Sequence, residues 1–284
     1  MVQKLVNVSV ADLHRNPTFR SERITQALLG ESVELLKRHE RFSLVSTCDR
    51  SENWIDNLQL CNSRKFPNRL ATARSHHFLI HSEPDAAAPK VRDAVIGCKL
   101  ACSGRQDEWL QVILPDGTAG WAQAEHFGTF PSFGRKAVVA LAMEFTGYPY
   151  SWGGKSPKGL DCSGFVQLVF SLLQRSVPRD SWMQFRDSRR ISESVADAEP
   201  GDLYFFGRMK DRAEHVGIAL GNCGFVHVNG MVRIDSLNPA DADYNRKIAK
   251  NFLAVGTFFD ASYDIPRNVT PELSIQRRSE ACCL

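Results

Sequence analysis

The sequence predicts an α+β protein in which two small β-barrels precede a larger domain built around a helix and an antiparallel hairpin. Three observations carry this. Residues 27–55 align without a gap to 94–122, an offset of 67, so one short-stranded unit occurs twice. Phe165, Val166, Val169, Leu172 and Leu173 form one apolar stripe of a helix that begins at about Cys162. Residues 214–220 and 225–228 are strand-like runs joined by the turn residues Gly221-Asn222-Cys223-Gly224. At 284 residues the chain suits two or three domains with real cores.

The repeat sets the N-terminal organisation. Ala27/Ala94, Gly30/Gly97, Arg38/Arg105, Val45/Val112, Asp49/Asp116 and Trp54/Trp121 match across it. Each copy alternates short strands with turns such as Pro115-Asp116-Gly117 and ends in a Trp-containing strand, the pattern of a small barrel. The copies occupy residues 1–62 and 69–129, with Asn62–Asn68 as the linker. Phe130-Pro131-Ser132-Phe133-Gly134 leads into the third unit, residues 135–262. After Asp260 the chain turns polar and irregular, and residues 263–284 are expected to be a disordered tail.

The chemistry of the third unit centres on Asp161-Cys162-Ser163-Gly164-Phe165. A thiol at a helix start faces unpaired N–H groups and the positive end of the dipole, which favour the nucleophilic thiolate. His215 and His227, one on each strand of the hairpin, supply a base and a group to orient it. A three-residue loop with Gly224 left-handed would pair Gly221 with Phe225 and set residue 227 opposite 219, on the face of 215. The histidines would then stand about 13 Å apart along the strands, a gap that only strong twist could close.

Composition narrows the alternatives. A net charge of +3 makes no electrostatic case for nucleic acid or a membrane surface. No run has the length of a membrane-spanning helix, and the first twelve residues alternate like a strand instead of forming a leader's apolar core. A cytoplasmic monomer with its eight scattered cysteines reduced is the expectation. No C-x-x-C pair is present, so neither metal nor organic cofactor is expected. Gly153-Gly154-Lys155-Ser156 ends like a phosphate loop, but the loop's first glycine would fall on Pro149.

Tyr148 to Phe170, Pro178-Arg179-Asp180-Ser181, Pro200-Gly201-Asp202-Leu203, His215-Val216-Gly217 and His227 occur in this order and together resemble the NlpC family of cell-wall cysteine peptidases. The resemblance implies a papain-like fold with Cys162 as nucleophile, His215 as base and His227 as third member. It implies that Tyr150 helps polarise the scissile carbonyl, and that Asp161, Ser163, Arg179 and Ser181 contact substrate. The two repeats resemble bacterial SH3-type domains, which accompany this family. In such relatives the first domain closes the cleft against the free amino end of a stem peptide, and Glu22 is the carboxylate that would meet that amine here. Ser51 stands where those relatives often carry an aromatic residue. The implied reaction cleaves the γ-D-glutamyl–diamino acid bond of peptidoglycan stem peptides, with free L-Ala-γ-D-Glu-diaminopimelate as the favoured substrate. An amidase or acyltransferase on the same scaffold, or a catalytically silent wall-binding protein, is the alternative.

Overall fold

The computed structural model describes residues 2–62 and 70–259; the predicted 62–68 linker, apart from Asn62, and the C-terminal tail lie outside the described residues. The first unit contains β1 (Val2–Val6), β2 (Val10–His14), β3 (Arg23–Leu28), β4 (Ser32–His39), β5 (Phe42–Ser46), β6 (Glu52–Asp56) and β7 (Leu60–Asn62). They pair in the order β3-β2-β6-β5-β4-β1-β7. The second contains β8 (Leu70–Thr72), β9 (His77–His81), β10 (Lys90–Val95), β11 (Lys99–Gln106), β12 (Trp109–Ile113) and β13 (Ala119–Gln123), in the order β10-β9-β13-β12-β11-β8.

The duplication is carried into the backbone. Strands β2 to β6 recur as β9 to β13 at the offset seen in the sequence, and the 3-10 turn Asn57–Gln59 recurs as Ala124–His126. The bulge between Leu35 and Lys37 has its counterpart between Cys102 and Gly104. Left-handed backbone falls at Gly30 and Gly97, at Glu40 and Asp107, and at Arg50 and Gly117. The repeat thus extends well beyond the segment whose side chains still match, because turn and bulge geometry tolerates more substitution than packing does.

The units are not beads on a string. Leu28 and Leu29 of the first barrel are buried in the core of the second. Ile96 of the second is buried in the core of the third unit. The Phe130–Gly134 connection is also packed, with Phe133 stacked on Phe259 at 4.8 Å and Arg74 over the ring of Phe130 at 4.9 Å.

The third unit begins with α1 (Arg135–Met143), followed by the short pair β14 (Lys155–Ser156) and β15 (Gly159–Leu160), α2 (Cys162–Leu172) and α3 (Ser181–Asp187). Then come β16 (Arg189–Ser192), β17 (Leu203–Phe206), β18 (His215–Gly221), β19 (Gly224–Asn229), β20 (Met231–Ser236), α4 (Arg246–Ala249) and β21 (Phe252–Thr257). The sheet is antiparallel in the order β16-β21-β17-β18-β19-β20. Strand alternation sorts its two faces. Leu203 and Phe205 join Phe165 and Val169 of α2 in the main core, while Tyr204 and Phe206 join Phe225 and Val255 in a second cluster on the opposite face. Burial on both faces, with α1, α2 and α3 against one and the short α4 against the other, gives the predicted α+β architecture. Among the described residues, no helix is long and apolar enough to cross a membrane.

Candidate active site

Helix α2 starts where the sequence predicts because Asp161 caps it. Asp161 has extended backbone, and its Oδ1 accepts from the Gly164 N–H at 2.7 Å. Cys162 is the first helical residue and is partly exposed. The backbone N–H groups of Ser163 and Val216 face its sulfur, which sets the thiol between the helix start and β18. Gly164 is required by this geometry, since a Cβ there would lie 2.1 Å from the Gly154 carbonyl oxygen.

The hairpin differs from the sequence expectation in one respect that decides the site. The loop is a two-residue turn with both Asn222 and Cys223 left-handed (φ 49° and 64°), and the left-handed glycine is Gly221, not Gly224. Gly221 pairs with Gly224 and Ala219 with Phe225, leaving Leu220 bulged. The predicted Gly221–Phe225 pairing is therefore corrected. His227 stands opposite Gly217 instead of residue 219. Both registers put the histidines on one face, but the bulge reduces their offset along the strands to two residues, about 7 Å. The side chains close that distance, and His215 Nε2 and His227 Nδ1 are 2.7 Å apart. Gly217 makes room for the contact: a Cβ there would lie 2.7 Å from Phe225 Cδ2 and 3.0 Å from His227 Cβ.

Sequence reasoning missed the group behind His227. Its Nε2 lies 3.1 Å from Oδ2 of Asp235, and the two side chains are 0% and 1% exposed. Asp235 also accepts from Arg233 Nε at 2.9 Å and from Asn245 Nδ2. A carboxylate at a buried strand position, two residues after an arginine on the same face, was the available signal.

Electrostatically the resting site is neutral. Burial, and then the charge of Asp161, push the Cys162 thiol up to about 12, outweighing the Val216 and Ser163 N–H groups that favour its anion. The expected activation of the thiolate by the helix start alone is thus reversed by desolvation. Burial, then His227, bring His215 down to about 3. Burial also lowers His227, against the pull of Asp235. Thiol and imidazole are both neutral at rest, so a reaction that used them as nucleophile and base would have to move the proton as the sulfur attacks.

A cleft of about 440 Å³ opens beside His215, with Tyr150, Phe206, Val228 and Asn251 among its walls. Tyr150 is 40% exposed, and burial together with the charges of Asp161 and Cys162 raises its phenol. The other residues named from the sequence face inward. Arg179, 3% exposed, donates to Asp161 at 3.0 and 2.6 Å, to Ser163 Oγ at 3.0 Å and to Thr25 Oγ1 at 3.0 Å. Ser181 Oγ donates to the Ala213 carbonyl at 3.1 Å. Asp161, Ser163 and Arg179 therefore hold the start of α2, and Ser181 ties α3 to the residues before β18.

The first barrel abuts this site. Gln26 Oε1 accepts from Lys155 N and Ser156 Oγ at 2.8 and 2.9 Å, and Gln167 of α2 donates to Asp49 at 2.8 Å. Glu22 accepts from the Trp152 indole at 2.9 Å and from Arg15 at 2.8 Å, two residues along the chain from Tyr150. Ser51 N–H donates to Asp49 at 3.1 Å, in the same turn that meets Gln167.

A thiol at a helix start, set against an antiparallel sheet that presents a half-buried imidazole backed by a buried one, is the arrangement of an α+β thiol hydrolase. Residues 147–250 match the NlpC/P60 family and residues 13–60 the bacterial dipeptidyl-peptidase SH3 domain, so the chain carries an NlpC/P60 peptidase domain behind a bacterial SH3 domain. It is 26% identical to dipeptidyl-peptidase 6 of Lysinibacillus sphaericus, over 90% of this chain and 99% of that one. It is 25% identical to a γ-D-glutamyl-L-lysine dipeptidyl-peptidase of Bacillus cereus, over 72% of this chain and 66% of that one. An NlpC/P60 family protein from Bacillus cereus shares the fold at a TM-score of 0.78 and 19% identity, covering 91% of this chain and all (100%) of the other.

Proposed function

We propose that this peptidase hydrolyses the γ-D-glutamyl–diamino acid bond of peptidoglycan stem peptides, in the turnover or recycling of wall material. The observation that carries the reading is the thiol of Cys162 set against the strand that bears the paired His215, which itself lines a cleft with Tyr150. The relatives named as dipeptidyl-peptidases support the bond chosen.

In this reading Cys162 Sγ attacks the γ-carbonyl as its proton passes to His215. The tetrahedral oxyanion meets N–H donors at the start of α2 and the Tyr150 hydroxyl. As the C–N bond breaks, His215 gives its proton to the departing amine, leaving a thioester. Water then attacks the thioester while His215 takes its proton and returns it to the sulfur. The products are the γ-carboxylate of D-Glu and the free diamino acid.

Released stem peptides with a free L-Ala amine, ending in diaminopimelate or lysine, are the preferred substrates. Glu22 and the exposed Trp152 stand at the junction between the first barrel and the catalytic loop, where that amine would be met. The test incubates the full chain with L-Ala-γ-D-Glu-meso-diaminopimelate and L-Ala-γ-D-Glu-L-Lys, each free and N-acetylated, and follows products by mass spectrometry. Cleavage of the free forms alone supports the whole reading. Equal cleavage of acetylated forms removes Glu22 from recognition, and no cleavage of any form overturns the reaction.

A further inference from the structure

The hydrogen bonds behind the two histidines have a fixed direction, and that direction starts far from the thiol. Asn245 caps α4 with its Oδ1, which accepts from the Ile248 N–H at 3.2 Å. Its amide nitrogen is thereby turned toward Asp235 Oδ2, to which it donates. Arg233, which can only donate, occupies Oδ1 through Nε at 2.9 Å and through a second guanidinium nitrogen at 2.8 Å. Asp235 is therefore an acceptor on both oxygens. His227 Nε2, 3.1 Å from Oδ2, must carry a proton and donate.

The consequence runs back along the chain of bonds. Burial keeps His227 neutral, so a proton on Nε2 leaves Nδ1 bare. Nδ1 then accepts from His215 Nε2 at 2.7 Å, and His215, also neutral, is left with its lone pair on Nδ1. That is the ring nitrogen left to take the proton of Cys162.

We propose that Asp235 is a positioning residue that sets the tautomer of both histidines and so makes His215 a base toward Cys162. It touches neither substrate nor thiol and acts through His227. The charged and titratable groups facing His227 in this relay are Arg233 and Asp235 from β20 and His215 from β18. The role rests on the reading of Cys162 and His215 as nucleophile and base.

The first test needs no variant and no substrate. Long-range 1H–15N correlation spectra of the 15N-histidine-labelled full chain should show His215 and His227 as neutral Nε2–H tautomers near neutral pH. An Nδ1–H tautomer at either residue overturns the proposal. The second test compares Asp235→Asn with Asp197→Asn, an exposed carboxylate outside the relay. An asparagine there can turn its NH2 toward His227 and reverse the relay, so iodoacetamide alkylation of Cys162 should slow and kcat should fall by roughly 10²–10⁴-fold with KM within about threefold. Asp197→Asn leaves the relay untouched and should stay within about fivefold of the parent in both assays. Equal losses in the two variants, or native-like kcat and alkylation in Asp235→Asn, refute the assignment. Alkylation is read without peptide, so an error in the substrate class leaves this arm interpretable. Should Asp235→Asn not fold, the spectra of the native chain decide.

Discussion

Replacing Gly217 by alanine tests the register on which the site depends. A Cβ at this position would lie 2.7 Å from Phe225 Cδ2, 3.0 Å from His227 Cβ and 3.2 Å from the Val226 carbonyl oxygen. Ordinary contacts between carbons are about 3.5–4.0 Å, so Phe225 must yield by about 1 Å and His227 by about half as much. Phe225 has nowhere to go, being fully buried with its ring 5.3 Å from that of Phe206 and 4.6 Å from that of His227. Overpacking of this kind costs about 1–3 kcal/mol, offset by roughly 0.5–1 kcal/mol from removing a strand glycine. A net destabilisation of about 1–2 kcal/mol follows from those two ranges. The larger effect is on chemistry, because the imidazoles 2.7 Å apart lose their hydrogen bond when His227 is pushed away from β18. A displacement approaching 1 Å costs about 10²-fold in rate. Gly217→Ala should therefore lose about 10²-fold in kcat on the free tripeptides with KM nearly unchanged, while circular dichroism still reports a folded chain. A variant within threefold of the parent in kcat and equally resistant to urea would refute the claim that this close approach sets the histidine pair.

Two further outcomes probe the nucleophile helix. Arg179→Met removes both nitrogens that hold Asp161 and leaves a mostly buried carboxylate, 12% exposed at its side chain, with two backbone donors and a long 3.4 Å bond from Ser163 Oγ. Breaking such a pair by deleting one partner costs about 3–5 kcal/mol, read as a lower urea midpoint for the transition that includes α2; a loss below about 1 kcal/mol would contradict it. The pH dependence of Cys162 alkylation follows from a thiol raised from 9.0 to about 12. The neutral form is favoured in the folded chain, so the rate with iodoacetamide should be slower than for a free cysteine at pH 7 and should climb steadily as pH rises above 9. A plateau reached near neutral pH would show a preformed thiolate–imidazolium pair and contradict the neutral resting state.

The local parts of this protein are written in local chemistry. The start of α2 is legible because an N-cap aspartate immediately precedes an apolar stripe, and both signals lie within one turn of Cys162. The duplicated barrels are legible because a constant offset preserves turn residues and alternation, and their strands follow that offset residue for residue. The hairpin too is predicted as an element, since two apolar runs flank a glycine-rich turn.

Its register is another matter. Two- and three-residue loops are both compatible with Gly221-Asn222-Cys223-Gly224, and the bulge at Leu220 is fixed only when Ala219 and Phe225 find their places in a packed sheet. Arg179 shows the same limit. Its charge and its place in the Pro178–Ser181 run suited a substrate carboxylate, yet its partners are Asp161, Ser163 and, across 154 positions of sequence, Thr25 of the first barrel. Asp235 is eight residues from His227 in sequence and meets it only because β19 and β20 fold back on each other.

The sequence by itself determined which residues carry reactive groups and which short segments are helix, strand and turn, because those choices rest on neighbours within a few positions. The tertiary structure alone decided that His215 pairs with His227 and His227 with Asp235, where the charge of Asp161 is neutralised and how the first barrel braces α2. Each of those depends on desolvation and on hydrogen bonds between distant segments, and neither exists until the sheet, the helix and the barrel have closed on one another.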